Sequence, residues 1–350
     1  MSSLFKVAPF LAANSVDAFL ISNLHNVRYL TGFTGSNALL LAMPDEMVFF
    51  SDPRYRLQAD EQVSVKKVIA TGNLFSAASA FAGKKRVKRM AVEQTTMTLA
   101  EAELLRGKFE IRAAAGVIEG LRMVKSPEEI AKIRKSVALN SEAYEQALKK
   151  ARPGMREYEL AAEIDYRMRR LGAEAPAFET IVASGIRSAL PHAKPGPARL
   201  EKEQLLLIDM GSMLNGYASD MTRMAHFGKP PKKVRDAHDR VLEAQLAAVA
   251  AVRPGRTGAQ VDKAARDVLK AAGFGEAFVH STGHGLGLEI HEDPRIGKAG
   301  KVKLAAGMAI TIEPGIYLEG WGGIRIEDTV IVTETGCEVL TRTPKELRVI

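Results

Sequence analysis

Three rhythms of apolar and polar positions follow one another along the chain. In the first part the apolar residues come in short runs. Residues 16–22 (VDAFLIS), 37–43 (NALLLAM) and 46–52 (EMVFFSD) read as strands, with Pro44-Asp45 marking a tight turn between the last two. VKKVIA (65–70) and RMAVE (89–93) read as further short strands, and LAEAELLRGKF (99–109) as a helix. Strands alternating with helices predict a small α/β domain over residues 1–121.

A helical rhythm then takes over. Ser126, Pro127 and Glu129 form a helix start, with a capping residue, a proline at the first helical position and a carboxylate to close the capping box. Ile130, Ile133, Val137, Tyr144 and Leu148 recur at helical spacing, and Arg152-Pro153-Gly154 is read as the stop.

The third rhythm is a repeat. RPGMREYELAAEIDYRMRRLG starts at Arg152, and RPGRTGAQVDKAARDVLKAAG starts at Arg253. Each copy follows a helix, continues as a helix and stops at glycine. A strand-like segment follows each, from Phe178 and from Phe278. Next comes a histidine near a proline (His192, His291), then an apolar strand with a carboxylate (Asp209, Glu313), then a second carboxylate (Asp220, Glu327). A repeat of this length predicts two similar halves that build one site where they meet. A C-terminal α+β domain with an internal pseudo-twofold, residues 122–350, is the expected fold of this part.

The carboxylates carry the chemistry. Asp209 closes the apolar run LLLI, a poor place for an isolated charge. Asn215-Gly216 is a two-residue hairpin signal. With that turn, residues pair when their numbers sum to 431, so Asp209 faces Thr222, and Asp220 shares a face with both. Diagonal neighbours of this kind lie about 7–8 Å apart at the backbone. Two like charges there repel unless one is protonated or a cation lies between them. In the second half Glu313 follows an apolar strand, and Glu327 shares a face with Arg325 in GGIRIED.

The chain has 7 histidines, and His280, His284 and His291 fall together in FVHSTGHGLGLEIHEDP. The glycines around His284 allow close backbone approach. Four carboxylates and an imidazole suit Mn²⁺, with Co²⁺ or Zn²⁺ as alternatives. With one cysteine, Cys337, a structural thiolate zinc site is excluded. Two ions held this way activate water and polarise a carbonyl, which points to hydrolysis.

Composition adds limits. The 350 residues are 46% hydrophobic, enough for a sizeable core, and one cysteine excludes an intrachain disulfide. The N-terminal apolar run is too short for a signal peptide, and no segment reaches the roughly 18 apolar residues of a membrane span. A cytoplasmic protein without membrane contact is expected. The net charge of +8 is scattered apart from residues 84–89 (KKRVKR), so no nucleic-acid partner is expected.

Asp209, Asp220, GHGLGLEIHE, TIEPGIY and GGIRIED together resemble the Xaa-Pro peptidases (prolidase and aminopeptidase P) among the pita-bread metallopeptidases, over roughly residues 122–335. NLHNVRYLTGFTGSNALL (23–40) is similar to the creatinase-type N-terminal domain. The resemblance implies a homodimer that cleaves the Xaa-Pro bond of dipeptides or short peptides. It implies Asp209, Asp220, His284, Glu313 and Glu327 as ligands of two divalent ions, with Glu313 also handling the proton. It implies His192 and His291 as donors to the reacting carbonyl. His280, Arg295, Arg325 and Phe178 follow as residues around the substrate. A creatinase-like hydrolase of other C–N bonds and a non-catalytic binding module are the competing readings. Both fit poorly with five intact ligand positions.

Overall fold

The computed structural model describes residues 3–350 and divides into two compact units, one ending at Arg122 and one spanning Met123–Ile350. In the first, six strands form one sheet in the order Lys66–Ile69, Met47–Ser51, Ala38–Ala42, Ala18–Ile21, Arg89–Glu93, Glu110–Ala114. Only Ala38–Ala42 runs antiparallel to its neighbours. The Pro44-Asp45 turn makes it so, closed by Met43 N–H donating to the Glu46 carbonyl at 2.9 Å. The central strands are buried at every position but Arg89, because both faces are covered. Leu20, Leu41, Phe50 and Met90 pack on one side, and Phe19, Leu40, Phe49 and Ala91 on the other. The helix predicted over 99–109 is shorter, Leu99–Leu105. Gly107, at φ +79°, turns the chain out of helical geometry before Phe109.

In the second unit Ser126 and Glu129 form the predicted capping box of the helix Pro127–Leu148. The repeat is explicit in the backbone. Helices Glu157–Arg170 and Gly258–Ala271 occupy equivalent positions in the two copies. Each follows a longer helix, Pro127–Leu148 or Lys232–Ala251. Neither Phe178 nor Phe278 opens a strand. The strands begin at Ile181 and Gly283, after a loop in one copy and a short 3₁₀ turn in the other.

Each half is built around one long antiparallel hairpin. In the first, Leu205–Met210 pairs with Met221–His226, and Ser212–Leu214 pairs with Tyr217–Ala218. All observed pairs sum to 431, as the Asn215-Gly216 turn predicts. Both turn residues have positive φ, 52° and 77°. In the second, Ala309–Ile312 pairs with Asp328–Val332, and Gly315–Leu318 with Gly322–Arg325. Here every pair sums to 640, which places the tip at Gly320, φ +71°. Leu205 and Leu207 point into a core shared with Ile310, Ile312 and Val330, while Leu206, Ile208 and Met210 point the other way. Strand alternation therefore puts Asp209 on the face turned toward the second half.

Candidate metal centre

Asp209 sits opposite Thr222, as the hairpin register requires, and Asp220 precedes the returning strand. Glu313 follows the strand Ala309–Ile312, and Glu327 precedes Asp328–Val332. His284 lies between Gly283 and Gly285. A Cβ on Gly283 would stand 2.0 Å from the Thr311 carbonyl oxygen, and one on Gly285 2.2 Å from that of Asp293. Only glycine lets the His284 backbone run this close to its neighbours.

The side chains converge. Ligand atoms of Asp220, His284 and Glu327 lie within 4.8 Å of one another. His284 Nε2 is 3.5 Å from Asp220 Oδ2 and 3.4 Å from Glu313 Oε1. Its Nδ1 lies 3.0 Å from the Gly285 carbonyl, which accepts the proton and leaves Nε2 with a free lone pair. Thr222 Oγ1 donates to Glu327 Oε2 at 2.8 Å and accepts from Arg325 Nε at 3.0 Å. Arg325 Nη2 donates to Asp209 Oδ2 at 2.6 Å. Asp209, Asp220 and Glu327 are 8%, 5% and 1% exposed.

Burial and mutual repulsion act on these groups together. The Asp220 carboxyl is held well above the ordinary carboxylate range by burial, then by Asp209 and Glu313. Glu327 is raised by burial, then by Asp220 and Glu313. Glu313 is raised by burial, with His280 and Arg325 pulling the other way. Burial lowers His284, His280 and His291, which keeps the imidazoles neutral. Asp209 Oδ1 and Glu327 Oε1 are buried with no hydrogen-bond partner in the protein. Buried carboxylate oxygens left this way are costly. A divalent cation satisfies both and removes the repulsion. The donor set fits that role.

The other expected site residues divide into two groups. His291 stacks edge-on against His284, ring centroids 4.4 Å apart, and is exposed at the rim. His192 is also exposed. Phe178 is half-buried and packs over Gly211. Arg295 is exposed, with Nε donating to Ser281 Oγ at 3.0 Å. Arg325 and His280 are both engaged inside the protein. Arg325, expected to position a substrate, is 3% exposed. It donates to Asp209, Thr222, Tyr317 and the Pro191 carbonyl. His280 is likewise engaged, Nε2 with Tyr317 Oη at 2.9 Å and Nδ1 with the Ser281 carbonyl at 2.7 Å.

Tyr317 and Thr311 are hydrogen-bonded neighbours of these residues outside the sequence-based set. Thr311 Oγ1 donates to Glu313 Oε1 at 3.1 Å. Tyr317 joins His280 to Arg325, and its hydroxyl is pushed up to about 12 by burial. Both lie at even spacing from Glu313, the one signal that could have marked them.

Residues 131–334 match the model of metallopeptidase family M24, and residues 4–124 match the creatinase/prolidase N-terminal domain. The chain is 38% identical over 348 residues to an Xaa-Pro dipeptidase of Pyrococcus furiosus, covering 98% of each. Its structure is similar to an Xaa-Pro dipeptidase from Bacillus anthracis, with TM-score 0.97, 36% identity and 99% of each chain covered. It is also similar to an X-Pro aminopeptidase from Thermotoga maritima, with TM-score 0.89, 36% identity, and 96% of this chain and 98% of that one covered.

Proposed function

Because this chain belongs to metallopeptidase family M24, we propose that it is an exopeptidase hydrolysing the bond between an N-terminal residue and proline in dipeptides or short peptides. The observation that carries the proposal is that ligand atoms of Asp220, His284 and Glu327 lie within 4.8 Å of one another, with Glu313 Oε1 3.4 Å from His284 Nε2 and with Asp209 Oδ1 and Glu327 Oε1 buried without a hydrogen-bond partner. These five would hold two divalent ions, Mn²⁺ before Co²⁺ or Zn²⁺. When bound, the ions supply an acidified water and a polarised carbonyl.

The chain's own residues do the rest. Glu313, with its raised pKa and its Oε1 fixed by Thr311, takes the proton from the attacking water and returns it to the leaving nitrogen. His192 and His291, exposed at the rim, donate to the carbonyl oxygen as negative charge develops on it. Arg325 holds Asp209 in place. Arg295 takes the free carboxylate of a dipeptide, and Phe178 walls the proline ring. The bond before proline is a tertiary amide without an N–H. A site that grips the terminal amine and the carbonyl does not need one.

Among the described residues no helix is long and apolar enough to cross a membrane. The single cysteine agrees with the cytoplasmic placement we propose. A homodimer is the assembly proposed from the family resemblance, and sedimentation at several concentrations tests it.

The test of the activity strips the protein with chelator and restores Mn²⁺, Co²⁺ or Zn²⁺ separately. Each form is then offered Ala-Pro, Ala-Pro-Ala and Ala-Ala-Ala. Metal-restored cleavage before proline, absent in Asp220→Asn, is expected. Tight metal binding with no peptide cleaved contradicts the proposal. Preference for Ala-Pro over Ala-Pro-Ala marks a dipeptidase.

A further inference from the structure

Behind the metal centre lies a second charged cluster that the reaction does not use. Arg223, on the strand Met221–His226, is 1% exposed and is among the largest fully buried side chains. Every arm of its guanidinium is committed. Nη1 donates to the Glu327 carbonyl at 2.5 Å and to the Thr222 carbonyl at 3.0 Å. Nη2 donates to Asp328 Oδ1 at 2.7 Å and to the Thr343 carbonyl at 2.7 Å. Nε donates to the Pro344 carbonyl at 2.9 Å. The other oxygen of Asp328 accepts from Gln245 Nε2 at 2.8 Å and pairs with Lys345 Nζ at 2.5 Å. Lys345 also donates to Gln245 Oε1 at 2.9 Å. Nearby, Thr341 Oγ1 accepts from Thr329 N–H, and Thr329 Oγ1 donates to the Asp220 carbonyl at 2.9 Å.

These bonds share a direction. One end is the C-terminal segment 341–345. The other end is the backbone of Asp220, Thr222 and Glu327, which carry two of the acids and the hydroxyl that orients one of them. A buried ion pair is not in itself a gain in stability, since desolvating both charges offsets their attraction. A planar guanidinium that grips four backbone carbonyls and a carboxylate fixes geometry better than a lysine would. We propose that Arg223, locked by Asp328 and Lys345, is a positioning residue through which the C-terminal segment sets the place of Glu327 at the metal centre. The proposal rests on the two-ion reading above.

The test measures Mn²⁺ binding by calorimetry on the full chain, well below its melting temperature, for the wild type, Arg223→Lys, Lys345→Met and Lys345→Arg. Steady-state kinetics on Ala-Pro accompany it. Partners that orient metal ligands typically change metal affinity or activity about 10–100-fold. Arg223→Lys and Lys345→Met are expected to weaken one of the two binding events by that factor and to leave the other within about twofold. They should lower kcat far more than they change KM, and Lys345→Arg should recover most of the loss. Unchanged Mn²⁺ affinity and kcat with a lower melting temperature would overturn the proposal and leave the cluster a purely structural clamp. If Arg223→Lys does not fold, the two Lys345 variants decide the question alone. A wild type that binds no metal defeats the two-ion reading itself, and the control shows this before any variant is made.

Discussion

The two hairpins of the second unit perform the same task with different geometry. In the first, Asp209 lies inside the paired strand and Asp220 just outside it, so the acids are diagonal in the register that sums to 431. In the second, Glu313 and Glu327 both lie just beyond the last pair, Ile312 with Asp328, so they stand directly opposite in the register that sums to 640. Asp220 and Glu327 each precede the returning strand by one position, so the hairpins differ in the place of their first acid, Asp209 within its strand and Glu313 just past the end of its own. Like charges opposite or diagonal on one face repel, and each hairpin alone would hold its acids at a cost. On the two-ion reading proposed above, only the two hairpins together would enclose a cation.

The largest effect should come from the hairpin that supplies the proton carrier. Glu313→Gln should lower kcat about 10²–10⁴-fold, with metal-loaded protein and Ala-Pro as the assay. An equal loss in KM instead would mean that Glu313 serves binding alone.

Next comes pH. The folded-state pKa values of Asp220 and Glu327 lie above their unfolded values, so the folded protein binds the extra protons. The stability they contribute is fully present below the unfolded values, about 3.9 and 4.3. It is lost as pH rises through the raised folded values. Metal-free protein should therefore weaken in urea melts from mildly acid to neutral pH. Divalent ion at 100 times its dissociation constant should restore about 2.7 kcal/mol. Asp220→Asn should flatten the slope for the first hairpin and Glu327→Gln for the second. A metal-free protein whose stability rises toward neutral pH would contradict the assignment of the acids.

The smallest effect separates the tips. Gly216→Ala places a side chain at φ +77° and Gly320→Ala at φ +71°, each costing about 1–2 kcal/mol. Both should lower the melting temperature with kcat/KM preserved. A loss of activity from Gly216→Ala alone would show that the first hairpin's register depends on its tip.

The first hairpin was legible because Asn215-Gly216 announces a tight turn, and one turn fixes every pair back to Leu205 and His226. The second was not, because Glu319-Gly320-Trp321 has no two-residue signal and Pro314 interrupts the strand. Glu313 and Glu327 were found as counterparts in the repeat, not from register. The apolar runs of the first unit revealed its strands because both faces of the sheet are covered. The helix end at Leu105 was missed, since apolar spacing continues past it to Phe109 while Gly107 turns the backbone. The Arg325 and Arg223 networks were invisible in sequence. They join residues about a hundred positions apart, and a lone arginine carries no mark of the carbonyls it will meet.

The central claim is that two hairpins build one divalent-metal site, and metal stoichiometry tests it most directly. Mn²⁺ per chain would be measured by mass spectrometry after equilibrium dialysis, for the wild type and for a pair of variants, Asp209→Asn with Asp220→Asn and Glu313→Gln with Glu327→Gln. Two ions in the wild type, with binding impaired by substitution in either hairpin, is the predicted result. No bound ion in the wild type, or full occupancy after either hairpin loses its acids, would contradict it.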